Sequence, residues 1–117
     1  MKNIKYALLL DELKINDQSK SILQHISTKP NMDIRIFVLD KEQIIPNPFP
    51  VLNIADYFNF GEGVTIITSE ATKRKAENYP VKGMFVVIGK DVPGYINIED
   101  FNLNTIEKVV NEYYAKH

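Results

Sequence analysis

The chain contains no cysteine. That excludes disulfides, thiolate metal sites and cysteine nucleophiles, and it fits a reducing compartment. Tryptophan is absent as well, and there are only 2 histidines, His25 and His117. Neither has metal-ligand spacing to another ligand, which argues against a histidine-based metal site or a catalytic triad. Charge of one sign is also missing. The 14 basic and 15 acidic residues leave a formal net charge of -1, so no global field steers the chain to nucleic acid or to an anionic membrane. Arg35 and Arg74 are the only arginines, while Asn, Ile and Lys are plentiful. This bias matches an AT-rich coding sequence of the kind found in phages and low-GC bacteria.

Long apolar runs are lacking. No segment approaches the ~18 apolar residues of a membrane span. In "MKNIKYALLLDEL" the apolar run extends only from Tyr6 to Leu10, and acids follow where a signal peptide needs small residues. A cytoplasmic protein with no membrane or nucleic-acid partner is expected. Glycine-rich phosphate loops are missing too. The first apolar run is followed by "DELKIND", not G-x-G-x-x-G, and no G-x-x-x-x-G-K-[ST] occurs.

What is present is an alternation of two patterns in 117 residues, enough for one domain with its own core. "KYALLL" (Lys5–Leu10) is a continuous apolar run that suits a strand buried on both faces. In "NDQSKSILQHIS" a helix is expected, capped by Asn16 or Asp17, with Ile22, Leu23 and Ile26 on one face and His25 toward the surface. "DIRIFVLD" (Asp33–Asp40) is a second strand. Pro46, Pro48 and Pro50 exclude regular helix and central strand from the segment that follows. Asn53 can cap a short helix through Phe58 that stops at Gly61. "VTIITS" is a third strand, Glu70 to Asn78 a short helix, and "GMFVVIGKD" a fourth strand. "VPGYINIEDF" is a loop or a short edge strand. In the last helix, Asn104 and Glu107 have capping-box spacing, and Ile106, Val109, Val110 and Tyr113 form one apolar stripe.

Alternating strands and helices imply a parallel sheet. The expected fold is a single three-layer α/β domain, Rossmann-like or flavodoxin-like, with a mainly parallel four- or five-stranded sheet and its four main strands in the order 2-1-3-4. In such sheets ligands bind beyond the carboxyl ends of the strands. That edge carries the candidate ligand-binding residues: Asp11 and Glu12, Asp40, Thr68 and Ser69, Lys73 and Lys90. No catalytic residue, metal ligand or cofactor is assigned. Two readings stand for "TSEATKRK". Thr68 or Ser69 caps a helix by accepting a backbone N–H. Alternatively the helix start, with Lys73, Arg74 or Lys75 folding back, binds an anion. For Tyr57, Phe58 and Phe60 the readings are core packing or an aromatic platform.

Two resemblances follow. Asp11 and Glu12 with Asp40, Thr68 or Ser69, and Lys90 resemble the site of response-regulator receiver domains. That resemblance implies Mg²⁺ held by acids, phosphate taken by Asp40, and contacts from the hydroxyl and the lysine. The chain departs from it in two ways. Only one crossover helix and one strand fit between Glu12 and Asp40, and Asp91, not proline, follows Lys90.

The second resemblance covers residues 50–93 and rests on "ADYFNF", "IITSEAT" and "MFVVIGKD". This stretch is similar to one Rossmann-like half of glycosyltransferase-like proteins, including those of large tailed phages. There an aromatic-rich acceptor-side helix precedes a strand ending in Thr-Ser, a helix, and a strand followed by an acid. The resemblance implies a stand-alone accessory or binding half that does not transfer a sugar by itself. It would take a small anionic ligand or a nucleotide sugar, or pair with a protein partner or with a second copy of the chain. A structural homo-oligomer without a ligand is the remaining class.

Overall fold

The structure, a computed structural model, describes residues 4–12, 24–25, 28, 32–40, 50–89, 91–100 and 102–116. Six strands form one sheet: β1 (Lys5–Glu12), β2 (Asp33–Asp40), β3 (Val51–Asn53), β4 (Glu62–Ile67), β5 (Lys82–Ile88) and β6 (Ile96–Ile98). Their order is β3-β2-β1-β4-β5-β6, and every neighbouring pair is parallel. The four main strands thus take the expected relative order in a Rossmann-like sheet.

The strand count is six where four or five were expected, because two three-residue edge strands close the sheet. β3 follows Pro50 directly. Proline lacks an N–H but keeps its carbonyl, and the Pro50 carbonyl accepts from Ile36 N at 3.0 Å. A proline therefore fits beside an edge strand that it would disrupt in the interior. At the other edge, β6 lies within the segment read as a loop or short edge strand.

The strands form because both of their faces are apolar. One face carries Tyr6, Leu8 and Leu10 of β1, Ile34, Ile36 and Val38 of β2, Val64 and Ile66 of β4, and Met84 and Val86 of β5. The opposite face carries Ala7, Leu9, Phe37, Ile67 and Val87. Such near-continuous runs suit a sheet covered on both sides. Helix α1 (Glu70–Asn78) and helix α2 (Leu103–Lys116) supply part of that cover. On the first face α2 buries Leu103, Ile106 and Val110, with Val109 and Tyr113 half-buried at the margin of the stripe. On the second face lie a 3-10 helix (Ile54–Asn59), Phe60, and Ala76 of α1. Three layers result.

Asn53 caps the 3-10 helix, its side chain accepting from Ala55 N at 2.9 Å. The cap of α2 is Asn102, not Asn104. Asn102 Oδ1 accepts from Asn104 N at 2.9 Å and from Thr105 N at 3.3 Å. The helix starts earlier than expected because Leu103 is buried as part of its apolar stripe. The expected cap at Asn16 or Asp17 and the stripe Ile22, Leu23 and Ile26 lie outside the described residues; Gln24 and His25 are helical.

The second face has an aromatic centre. Phe37 meets Tyr57 edge-on at 5.4 Å and Phe60 at 6.0 Å, while Tyr57 and Phe60 stack at 5.9 Å. The aromatic triplet therefore divides. Tyr57 and Phe60 are core, and Phe58 is 58% exposed. No helix among the described residues is long and apolar enough to cross a membrane.

Candidate functional site

The chain builds β1, β2 and β3 in one direction, then returns to place β4, β5 and β6 on the other side of β1. The reversal falls between β1 and β4. At such a switch point the connections leave in opposite directions and open a crevice beyond the carboxyl ends. β1 ends there in Asp11-Glu12, and Glu12 is in register with Asp40 at the end of β2. β4 ends one residue before Thr68.

The hydroxyls at the β4 end are engaged internally. Thr68 Oγ1 donates to the Leu9 carbonyl at 2.6 Å, a link from the end of β4 to β1 across the switch point. Ser69 is the N-cap of α1. Its Oγ accepts from Thr72 N at 3.2 Å, while Thr72 Oγ1 accepts from Ser69 N at 3.0 Å. This is a reciprocal capping box with threonine in the place usually held by Glu or Gln. Thr72 is fully buried. The opening "S-x-x-T" of α1 was the signal for it, and Thr72 is a residue the sequence reading left out.

Lys73 and Arg74 pair along α1 with the acids of the same helix. Lys73 Nζ donates to Glu77 Oε1 at 3.1 Å, and Arg74 pairs more loosely with Glu70 at 4.0 Å. The hydrogen bond to Glu77 raises the Lys73 pKa. Tyr95, stacked on Phe85 at 5.7 Å, is also raised, first by burial and then by Glu77.

Gly89, Asp91, Asn97, Ile98 and Glu99 line an open cavity of about 290 Å³ at the carboxyl ends of β5 and β6. The Asn97 amide shapes its wall: Oδ1 accepts from Val92 N at 2.7 Å, and Nδ2 donates to the Tyr95 carbonyl at 2.9 Å. Gly89 and Asp91 follow from the rule for strand ends, whereas Asn97, Ile98 and Glu99 join the lining only because β6 pairs with β5.

Of the sequence-derived candidates, Thr68, Ser69 and Lys73 are placed as above. The side chains of Asp11, Glu12 and Asp40 lie outside the described residues, although their backbones end β1 and β2. Lys90 lies wholly outside them. β2 and β4 flank β1 on opposite sides, so the backbones of Asp40 and Ser69 stand roughly 10 Å apart across it. Among the described residues no group of three or more His, Asp or Glu is arranged to hold a metal ion.

Comparison of the chain with protein-family models, with curated proteins and with solved structures finds no match.

Proposed function

We propose that this chain is a binding unit: a Rossmann-like domain that takes a hydroxyl-rich ligand, a nucleotide sugar by class, at the carboxyl ends of β1 and β4. One observation carries this reading, the reversal of strand order between β1 and β4. In open parallel sheets that crevice is where ligands sit.

The residue types around it favour the ligand class. The residues that end β1 and β2, Asp11, Glu12 and Asp40, are acids by type, a chemistry that accepts from sugar hydroxyls and disfavours a purely anionic ligand. On the far side, the amino end of α1 attracts a single phosphate group. The turn before α1 contains no glycine, and a ligand that must be wrapped by backbone, such as a bare polyphosphate, is disfavoured there. The engagement of Thr68, Ser69 and Thr72 in hydrogen bonds within the fold favours binding over group transfer. This agrees with the resemblance to a glycosyltransferase-like half acting as an accessory or binding unit.

The test is a thermal-shift panel of nucleotides, nucleotide sugars and inorganic phosphate, each with and without Mg²⁺, plus Mg²⁺ with beryllofluoride. A ligand at 100 times its Kd stabilises by about 2.7 kcal/mol, on the order of 10 °C for a domain of this size. Stabilisation by nucleotide sugars above that by inorganic phosphate is expected, and Asp11→Asn should reduce it. A shift that needs both Mg²⁺ and beryllofluoride would replace this reading with a receiver-like one. No shift with any ligand, together with a melting point that rises with protein concentration, would replace it with a structural homo-oligomer.

A further inference from the structure

The first four N–H groups of a helix have no partner within it. In α2 the N–H groups of the first three residues are all accounted for by side chains. Asn104 N and Thr105 N donate to Asn102 Oδ1, and the regular i→i−4 ladder begins with Ile106 N, which donates to the Asn102 carbonyl at 2.9 Å. The first, Leu103 N, donates to His25 Nε2 at 3.0 Å. His25, which with Gln24 is helical in the connection between β1 and β2, therefore closes the amino end of α2. Leu103, at the joint, is fully buried in the core of the first face.

The geometry points to a pH-sensitive latch between that segment and α2, with His25 as its titrating part. A backbone N–H only donates, so the imidazole nitrogen facing it must be bare. Protonation of Nε2 sets a donor against a donor. It also places a positive charge at the positive end of the helix dipole, where cations are disfavoured. Both effects act in the same direction, and the latch is closed at neutral pH and opens under acid.

The charged residues nearest the joint along α2 and its approach are Glu99 and Asp100 before the helix, and Glu107 and Lys108 one turn inside it. Glu107 and Tyr114 act on Tyr6 of the sheet below. Within His25's own segment, the Thr28 hydroxyl donates to the His25 carbonyl at 2.6 Å and holds the backbone of the latch.

The test compares the intact chain with His25→Gln, whose side-chain amide oxygen can accept from Leu103 N but does not titrate. Between pH 7.5 and 5.5 the native chain should lose roughly 5 °C more in melting temperature than His25→Gln. His117 is present in both proteins and cancels. In the native chain, NMR should show the Leu103 amide losing exchange protection, after correction for intrinsic rates, in step with the His25 imidazole titration. This second readout decides the matter if the variant fails to fold. Parallel pH slopes for the two proteins, or a Leu103 amide that stays protected while His25 titrates, would overturn the latch.

Discussion

The amino and carboxyl edges of the same sheet are closed in different ways. At the amino edge, backbone packs on backbone. Gly63 stands opposite Gly83, and a Cβ on Gly83 would lie 2.1 Å from the Gly63 carbonyl oxygen. Lys5 Nζ donates to the Phe60 carbonyl at 2.9 Å and lies 5.1 Å from the centre of the Phe60 ring. At the carboxyl edge, the strands run out into Asp11-Glu12, Asp40 and Thr68-Ser69, and a cavity opens beside Gly89. The amino edge has little tolerance for added atoms. Its counterpart ends in polar residues and an open cavity. Substitutions at the first should therefore act on stability and leave ligand response alone, and those at the second should act mainly on ligand response, with a small cost in stability where a helix cap is lost.

Gly83→Ala should have the largest effect. Gly83 has φ +116°, which L side chains rarely adopt, and its new methyl group would strike the β4 backbone. Strain and overpacking together should cost about 3 kcal/mol or more, read as a lower urea midpoint. A loss below about 1 kcal/mol would show that the edge yields and would erase the contrast.

Tyr57→Phe comes next. The Tyr57 hydroxyl and Thr65 Oγ1 are 2.6 Å apart in a buried pair. Removing one partner should cost roughly 1–2 kcal/mol, and the double variant Tyr57→Phe/Thr65→Val should recover part of it. The same residue shapes the alkaline limit. Burial pushes the Tyr57 phenol up to about 12, and burial followed by Glu107 does the same for Tyr6. A raised phenol pKa means that the fold favours the neutral form. This stabilisation is complete below pH 10, the ordinary phenol value, and is lost as pH rises toward 12. Unfolding followed from pH 9 to 12 should show that loss, and Tyr57→Phe should reduce it.

The smallest effect belongs to the carboxyl edge. Ser69→Ala should cost about 1 kcal/mol by removing the α1 cap. Ser69→Asp keeps a capping oxygen and suits the helix dipole, so stability should be maintained. The added charge should weaken an anionic ligand at this turn and spare an uncharged one. Titration of both variants with a nucleotide sugar and with the free sugar separates the two cases. Equal responses in both variants would remove Ser69 from the site.

Much of the fold was legible because local and tertiary signals agree. β2 runs from Asp33 to Asp40 as expected, since its apolar run is bounded by charge. α1 runs from Glu70 to Asn78 as expected, since a capping serine opens it. Three features were not legible, and each depends on a partner distant in sequence. β3 is a strand only because β2 offers it an edge. In α2, Asn102 caps in preference to Asn104 because Leu103 is drawn into the core. Of the candidate site, the strand ends were readable from the rule for parallel sheets. Thr68 looked like a second cap or an anion ligand, and its bond to the Leu9 carbonyl depends on β1 and β4 being neighbours.

The central place of β1 has a consequence for how the chain is assembled. β1 pairs with β2 on one side and with β4 on the other, from Tyr6↔Val64 to Leu9↔Ile67. The partner on the β4 side comes much later in the chain. Until it docks, one margin of β1 is an unsatisfied apolar template of the kind that recruits strands from other molecules. Lys5 at one end and Asp11 and Glu12 at the other flank it with charge, the usual gatekeepers of an unavoidable hydrophobic strand. Delayed closure leaves intermediates sticky at working concentrations. A variant that slows the docking of β4 on β1, as Gly63→Ala would by setting a methyl group against the Lys5 carbonyl, should therefore lower the yield of soluble protein as well as the melting point.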